Sequence, residues 1–262
     1  MTDIRIPDLA GRAVLITGAS TGIGAALARA FAAQGALVGL HYNASREAAE
    51  AVAAEIEAGQ GRVRLIRADA AEPDEIRNAV NEIAATFGRL DGLINNAGGM
   101  VRRVAWEDAT DTDYDQIMDL NARSVMAACG AAIPHLKTAA AGTGDAFIVN
   151  TTSIAARNGG SGGAGPYGAS KGFVSTMTHG MAKELISFGI RVNAVAPGVI
   201  ATPFHERYST EAQLKTALAG IPAGRLGAAE ECVGAYLFLA SKEMSGYVVG
   251  QVIEVNGEQL MP

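Results

Sequence analysis

Tyr167 and Lys171 stand four positions apart in the run Tyr-Gly-Ala-Ser-Lys. On a helix that spacing puts both side chains on one face, where they can share a site. A phenol ionises near ~10 and is a poor acid or base at neutral pH. A neighbouring ammonium stabilises the phenolate and brings it toward the working range. The pair suits the transfer of one proton at an oxygen. Tyr-x-x-x-Lys also occurs by chance on helix surfaces, so other parts of the chain must supply the remaining chemistry.

A second constellation lies near the start of the chain. The apolar run Ala13-Val14-Leu15-Ile16 stops at Thr17-Gly18, as a strand covered on both faces does. Gly18-Ala19-Ser20-Thr21-Gly22-Ile23-Gly24 follows and leads into a helical stretch over residues 23–34. Glycines let a backbone approach a pyrophosphate, and the free N–H groups of the first helical turn point at it. The alternative is an ordinary tight turn from strand to helix.

The elements that would position these residues alternate regularly. Strands are expected at residues 37–42, 63–66, 90–94, 146–150, 190–196 and 252–255, after the first at 13–16. Helices are expected at 45–58, capped by Asn43 or Ser45, at 73–87, from about Asp113, at 167–188 and at 230–239. This alternation predicts a parallel seven-stranded sheet with right-handed crossovers in one domain spanning residues 1–262. Ligands of such sheets gather outside the carboxyl ends of the strands, which brings Thr151, Thr152 and Ser153 into view. The mixed segment at 199–226, broken by Pro203 and Pro222, reads as a lid across that edge.

Composition narrows the function classes. Hydrophobic residues make up 49% of the 262, enough for a large core, and the net charge of -6 offers no footprint for nucleic acid. No apolar run reaches membrane-spanning length and the first residues do not form a signal region, so a cytoplasmic setting is expected. Cys129 and Cys232 read as small core residues, and His41, His135, His179 and His205 as packing or surface residues without ligand partners. Asp111, Asp113 and Asp115 have the spacing of a calcium loop. However, Gln116 and Ala122 occupy the places of its glycine and closing glutamate, so no metal site is expected and the acids favour a helix start instead. Asn121, in the middle of that helix, could hold water or bend it.

Together these motifs resemble the short-chain dehydrogenase/reductase family along nearly the whole chain. Thr17 to Gly24 is similar to its cofactor loop, and Asn95-Asn96-Ala97-Gly98 to its fourth-strand motif. Asn121, Ser153, Tyr167 and Lys171 fall at its catalytic four, Pro197-Gly198 with Thr202 at its nicotinamide-side motif, and residues 249–257 at its C-terminal strand. The resemblance implies a Rossmann-type doubly wound α/β fold and NAD(P)-dependent hydride transfer between the nicotinamide and a carbonyl or secondary alcohol. Tyr167 would exchange the proton and Ser153 orient the substrate oxygen, with Thr152 and Ser161 as alternatives. Lys171 would hold the nicotinamide ribose and lower the phenol pKa, and Asn121 would support a water. It further implies cofactor contacts at Gly18, Ser20, Thr21, Gly22, Ile23, Gly24, Tyr42, Asn43, Ser45, Arg46, Asp69, Ala70, Asn96, Ala97, Gly98, Pro197, Gly198, Ile200 and Thr202, besides Tyr167 and Lys171. A homotetramer built through residues 113–136 and 167–188 and the C-terminal strand region is implied as well. A dinucleotide-binding sensor or scaffold without turnover is the alternative function, although such relatives usually lack the tyrosine or lysine.

The second strand ends at Tyr42, where NAD-specific sites carry an acid that bonds the ribose hydroxyls and repels a 2′-phosphate. Asn43, Ser45 and Arg46 follow instead, so NADP is favoured over NAD. The small-molecule substrate is bounded only by its loops. Met100, Val101, Trp106, Phe204 and Tyr208 suggest a partly apolar pocket, whereas Arg102, Arg103, His205 and Arg207 suit an anionic or carrier-bound acyl group. Resemblance to 3-oxoacyl-carrier reductases and to sugar dehydrogenases is about equal.

Overall fold

The computed structural model describes residues 5–261. Seven strands form one sheet: β1 (Ala13–Ile16), β2 (Leu37–Tyr42), β3 (Arg62–Arg67), β4 (Gly92–Asn95), β5 (Ala146–Thr151), β6 (Ile190–Pro197) and β7 (Val252–Val255). Their order is β3-β2-β1-β4-β5-β6-β7, and every neighbouring pair is parallel. The chain winds outward from β1 in one direction and then from β4 in the other. The loops after these two strands therefore diverge and leave a crevice between them.

Helices cover both faces. α1 (Gly22–Ala33), α2 (Arg46–Ala58) and α10 (Ala229–Ala240) pack on one side, with Phe31, Val52 and Tyr236 meeting Val14, Ile16 and Val149. α3 (Pro73–Phe87), α5 (Ser124–Thr143) and α7 (Gly165–Leu185) pack on the other, with Ile83, Leu136 and Leu185 meeting Leu15, Leu93 and Ile148. Successive strand residues thus enter opposite cores. This is why β1 and β5 read as unbroken apolar runs instead of alternating ones.

Boundaries differ from expectation where side chains intervene. Ser45 caps α2 by position, without a side-chain hydrogen bond. The helix expected from Asp113 begins two residues earlier as α4 (Asp111–Met118), because Thr110 and Asp113 close a reciprocal capping box. A π segment, Asp119–Arg123, then joins α4 to α5. Its cause is Asn121, fully buried, whose Nδ2 donates to Ile117 O at 2.9 Å and to Gly99 O at 2.8 Å, while Oδ1 accepts from Gly99 N at 3.0 Å. The asparagine thus joins the widened helix turn to the loop after β4.

The remaining helices are short. α6 (Ala155–Asn158) follows β5, and α8 (Pro203–Tyr208) and α9 (Glu211–Ala219) occupy the segment expected as a lid. Neither α8 nor α9 buries a residue. α11 (Lys242–Ser245) precedes β7. No helix among the described residues is long and apolar enough to cross a membrane. Both cysteines are buried and free.

Candidate active site

The loop after β1 is held by hydrogen bonds from three directions. The Thr17 hydroxyl accepts the N–H groups of Asn96 and Ala97, both at 2.9 Å. The Asn96 amide donates to the carbonyls of Thr17 and Gly18 at 3.0 Å each. Gly18 N donates to His41 Nδ1 at 3.0 Å, and His41 Nε2 faces Ala68 O at 3.0 Å. His41 therefore binds as the neutral tautomer with Nε2 protonated, and burial pushes its pKa down, against the carbonyl of Ala68 and the charge of Asp69. Gly24 has no alternative: a Cβ there would lie 2.1 Å from Gly18 O and 2.6 Å from Asn96 Nδ2. Thr21 at the start of α1 makes no side-chain cap, so the first-turn N–H groups stay available to an anion. This cradle fits a dinucleotide pyrophosphate.

A cavity of about 800 Å³ runs from this loop across the ends of β4, β5 and β6. Its nucleotide side is lined by Gly18, Ser20, Thr21, Gly22, Ile23, Gly24, Tyr42, Asn43, Ser45, Asp69 and Ala70, and its middle by Asn96, Ala97, Gly98, Pro197, Gly198, Ile200 and Thr202. Arg46 is the expected cofactor residue that stays outside the lining. Its position at the start of α2 sends the guanidinium one turn forward to Glu50, at 3.3 Å, and leaves it 5.9 Å over the Tyr42 ring.

Ser153, Tyr167 and Lys171 meet in the same wall. The Ser153 hydroxyl lies beside the Tyr167 phenol, near enough to pull its pKa down. The neighbouring hydroxyls are engaged elsewhere: Thr151 with Tyr236 at 2.7 Å, Thr152 with Lys171 O and Ser175 at 2.9 and 2.7 Å. Ser161, exposed, lies 3.4 Å from Arg103. Ser153 is thus the hydroxyl directed at the phenol. Asn121 reaches this place indirectly, since its Oδ1 and the Lys171 ammonium both abut Gly98, 2.8 and 3.0 Å from where a Cβ would be.

The electrostatics run against the expectation that Lys171 lowers the phenol pKa. Burial pushes the Tyr167 phenol up to about 12, against the pull of Ser153. Burial also pushes the Lys171 ammonium down to about 8. The ammonium donates to Thr151 O at 3.0 Å and sits 5.9 Å from the Tyr167 ring centre instead of on the phenol oxygen. Withdrawal from water disfavours both charged forms, so the phenol is held protonated.

Sequence reasoning assigned His41 to packing. A polar residue inside the buried strand Leu37–Tyr42 was the available signal, because a buried imidazole needs partners. Arg102, considered for an anionic substrate, instead forms a two-pronged pair with Asp113 at 2.5 and 2.6 Å. Met100, Phe204, Tyr208, Arg103, His205 and Arg207 line the substrate end, whereas Val101 and Trp106 do not.

Lys171 carries a measurable consequence. Its folded pKa of about 8 lies below the ordinary 10.5, so between these values the unfolded chain binds the extra proton. Stability should rise with pH through that window and be lost again as pH falls to about 8. Lys171→Met should abolish this dependence and raise stability at pH 7 by about 1–3 kcal/mol. Urea unfolding of both proteins from pH 7 to 10.5 measures it, and parallel pH curves would contradict the assignment.

Comparison with known proteins agrees with this geometry. A family model described as enoyl-(acyl carrier protein) reductase matches residues 18–257. The 3-oxoacyl-[acyl-carrier-protein] reductase FabG of Thermotoga maritima is 38% identical over 249 residues, 95% of this chain and 98% of its own. The NADH-dependent reductase A1-R′, solved in complex with NAD, superposes with a TM-score of 0.88 at 38% identity, covering 98% of this chain and 100% of that one. A short chain dehydrogenase from Burkholderia cenocepacia J2315 in complex with NADP gives 0.88 at 35% identity, covering 96% and 99%. With the glycine cradle, the neighbouring Ser153 and Tyr167 hydroxyls and the buried Lys171 in one crevice, the chain belongs to the short-chain dehydrogenase/reductase family of NAD(P)-dependent oxidoreductases.

Proposed function

We propose that the protein reduces a small-molecule ketone or aldehyde, with Tyr167 as the acid that protonates the substrate oxygen. The observation that carries this reading is the placing of Ser153, Tyr167 and Lys171 together in the wall of the cavity that opens from the glycine loop. The bound nicotinamide supplies or accepts the hydride. Ser153 and Tyr167 direct two hydroxyls at one point, which suits a carbonyl oxygen that gains negative charge as it is reduced. Transfer of the phenolic proton completes the alcohol and leaves a phenolate beside Ser153. Asn121 has used both amide hydrogens, but its Oδ1 keeps a second lone pair near Lys171, where a water could return the proton. Tyr167→Phe should lower kcat roughly 10²–10⁴-fold while dinucleotide affinity changes little. An undiminished kcat would remove Tyr167 from the chemistry; a wild-type protein that binds dinucleotide but turns over no carbonyl or alcohol would favour a sensor or scaffold.

The favoured cofactor is NADP. Tyr42, Asn43, Ala44 and Ser45 line the cavity at the end of β2 without a carboxylate, so nothing there repels a 2′-phosphate. The Arg46–Glu50 pair is exposed on both sides, and such pairs contribute only about 0–1 kcal/mol. A 2′-phosphate therefore competes readily with Glu50 for this guanidinium. kcat/KM should be higher with NADPH than with NADH, and Arg46→Ala should weaken NADPH selectively. Preference for NADH, unaltered by that substitution, would reverse the assignment.

Residues 199–226 act in this reading as a lid, because α8 and α9 bury no residue yet supply Phe204, Tyr208 and Gln213 to the cavity. A homotetramer follows from the outer surfaces of α4, α5 and α7. Tyr114 (63%), Met126 (52%) and Phe173 (41%) are exposed there, and Gly180 has no atom within 4 Å of its Cβ position. Light scattering should give about four times the 26.8 kDa chain mass, and a monomer at micromolar concentration would exclude it.

A further inference from the structure

The arginines of this acid-rich chain divide into two groups. Eleven of them pair with carboxylates among the described residues. Arg103 and Arg207, both in the wall at the substrate end of the cavity, make no such pair. Arg103 is held by neutral acceptors only: Nε donates to Tyr208 O at 2.6 Å, Nη1 to Gly162 O at 2.9 Å and to Ser161 Oγ at 3.4 Å, and Nη2 to Ser209 Oγ at 3.3 Å. Its charge is therefore fixed in place from both the glycine-rich loop and α8, but it is not neutralised. Burial pushes its pKa down, and burial also depresses that of His205, with the Arg103 charge adding to the effect. Arg207 has no hydrogen-bonded partner among the described residues and lies 5.9 Å from the Tyr208 ring. Among the described residues the single carboxylate lining the cavity, Asp69, follows β3 on the nucleotide side.

From this arrangement we infer that the substrate is a compact oxo acid, a ketone or aldehyde bearing a carboxylate that Arg103 and Arg207 receive. A guanidinium locked by dipoles has little orientational freedom left to lose when a carboxylate arrives, and desolvation strengthens the attraction. The reach is short. The Phe204 ring lies 5.8 Å from Tyr167 and 5.0 Å from Tyr208, whose own carbonyl holds Arg103. The anionic end and the reacting oxygen are thus separated by two ring contacts, which suits a small molecule better than a long carrier arm. This assignment rests on the carbonyl-reducing function proposed above.

The test compares matched pairs with NADPH and NADH: 2-, 3- and 4-oxopentanoate, the methyl ester of each, and a 3-oxobutanoyl thioester of pantetheine phosphate. Wild-type kcat/KM should favour at least one free acid over its ester by tenfold or more. Arg207→Gln and Arg103→Gln should each collapse that ratio toward one, and Arg103→Lys should preserve part of it. Arg207→Gln breaks no hydrogen bond, so it separates lost charge from a disturbed loop. Esters used as well as acids, a ratio unmoved by both glutamine variants, or turnover confined to the thioester would each overturn the inference while leaving the reductase function intact. Should no compound turn over, calorimetric titration of the same acids and esters into protein with NADP⁺ decides separately. Tighter binding of an acid, lost in Arg207→Gln, upholds the anion site, and equal binding rejects it.

Discussion

A lysine ammonium buried without a carboxylate is the constraint on which this site depends. Lys171 is 2% exposed, and its ammonium donates to the Thr151 carbonyl. Such a charge is expensive to withdraw from water, so the surrounding backbone must hold it without slack. α7 is accordingly stitched to β5 by side chains. The Thr152 hydroxyl bonds the Lys171 carbonyl and Ser175, Asn150 donates to Thr178 at 2.9 Å, and Asn95 donates to Asn150 at 2.8 Å from β4. This buried amide and hydroxyl ladder fixes the register of α7 on the sheet, and with it the place of Tyr167 one turn before Lys171. Satisfied networks of this kind specify one arrangement, because any slip leaves several buried polar groups unpaired.

The same constraint acts through the helix on the other side of Gly98. Asn121 widens its own helix by one residue to grip Gly99, and that grip holds the loop after β4 where Lys171 Nζ and Asn121 Oδ1 converge. Gly98 lacks a Cβ because both atoms occupy its space. On the nucleotide side, Thr17, Asn96 and His41 do the corresponding work for the glycine loop, with neutral side chains throughout. Neutral donors and acceptors order the backbone while leaving the positive ends of its peptide dipoles free to act on an anion. Charge is thus placed sparingly in the crevice, although the chain as a whole carries -6.

The seven strands were legible in the sequence, because burial on two faces leaves an apolar pattern and helices of regular length separate the runs, whereas their order, and with it the switch between β1 and β4, came from the tertiary structure. Also legible were the glycine loop and the Tyr167–Lys171 pair, since each depends on residues close together in the chain. Side chains whose partners come from distant segments were not. Three adjacent hydroxyls at 151–153 look alike in sequence; only the approach of Tyr236, Ser175 and Tyr167 from three other elements gives each a different task. His41 looks like packing until Gly18 and Ala68 meet its two nitrogens. Arg102 and Arg103 are neighbours of one chemistry, yet one finds Asp113 and the other only carbonyls and hydroxyls. The ionisation of the pair at the centre was also decided in three dimensions. Spacing predicts an ammonium beside a phenol, but burial pushes the phenol up to about 12 and the ammonium down to about 8, while the ammonium donates to the Thr151 carbonyl. Local sequence sets which groups can act, and desolvation, which depends on everything packed around them, sets the state in which they do so.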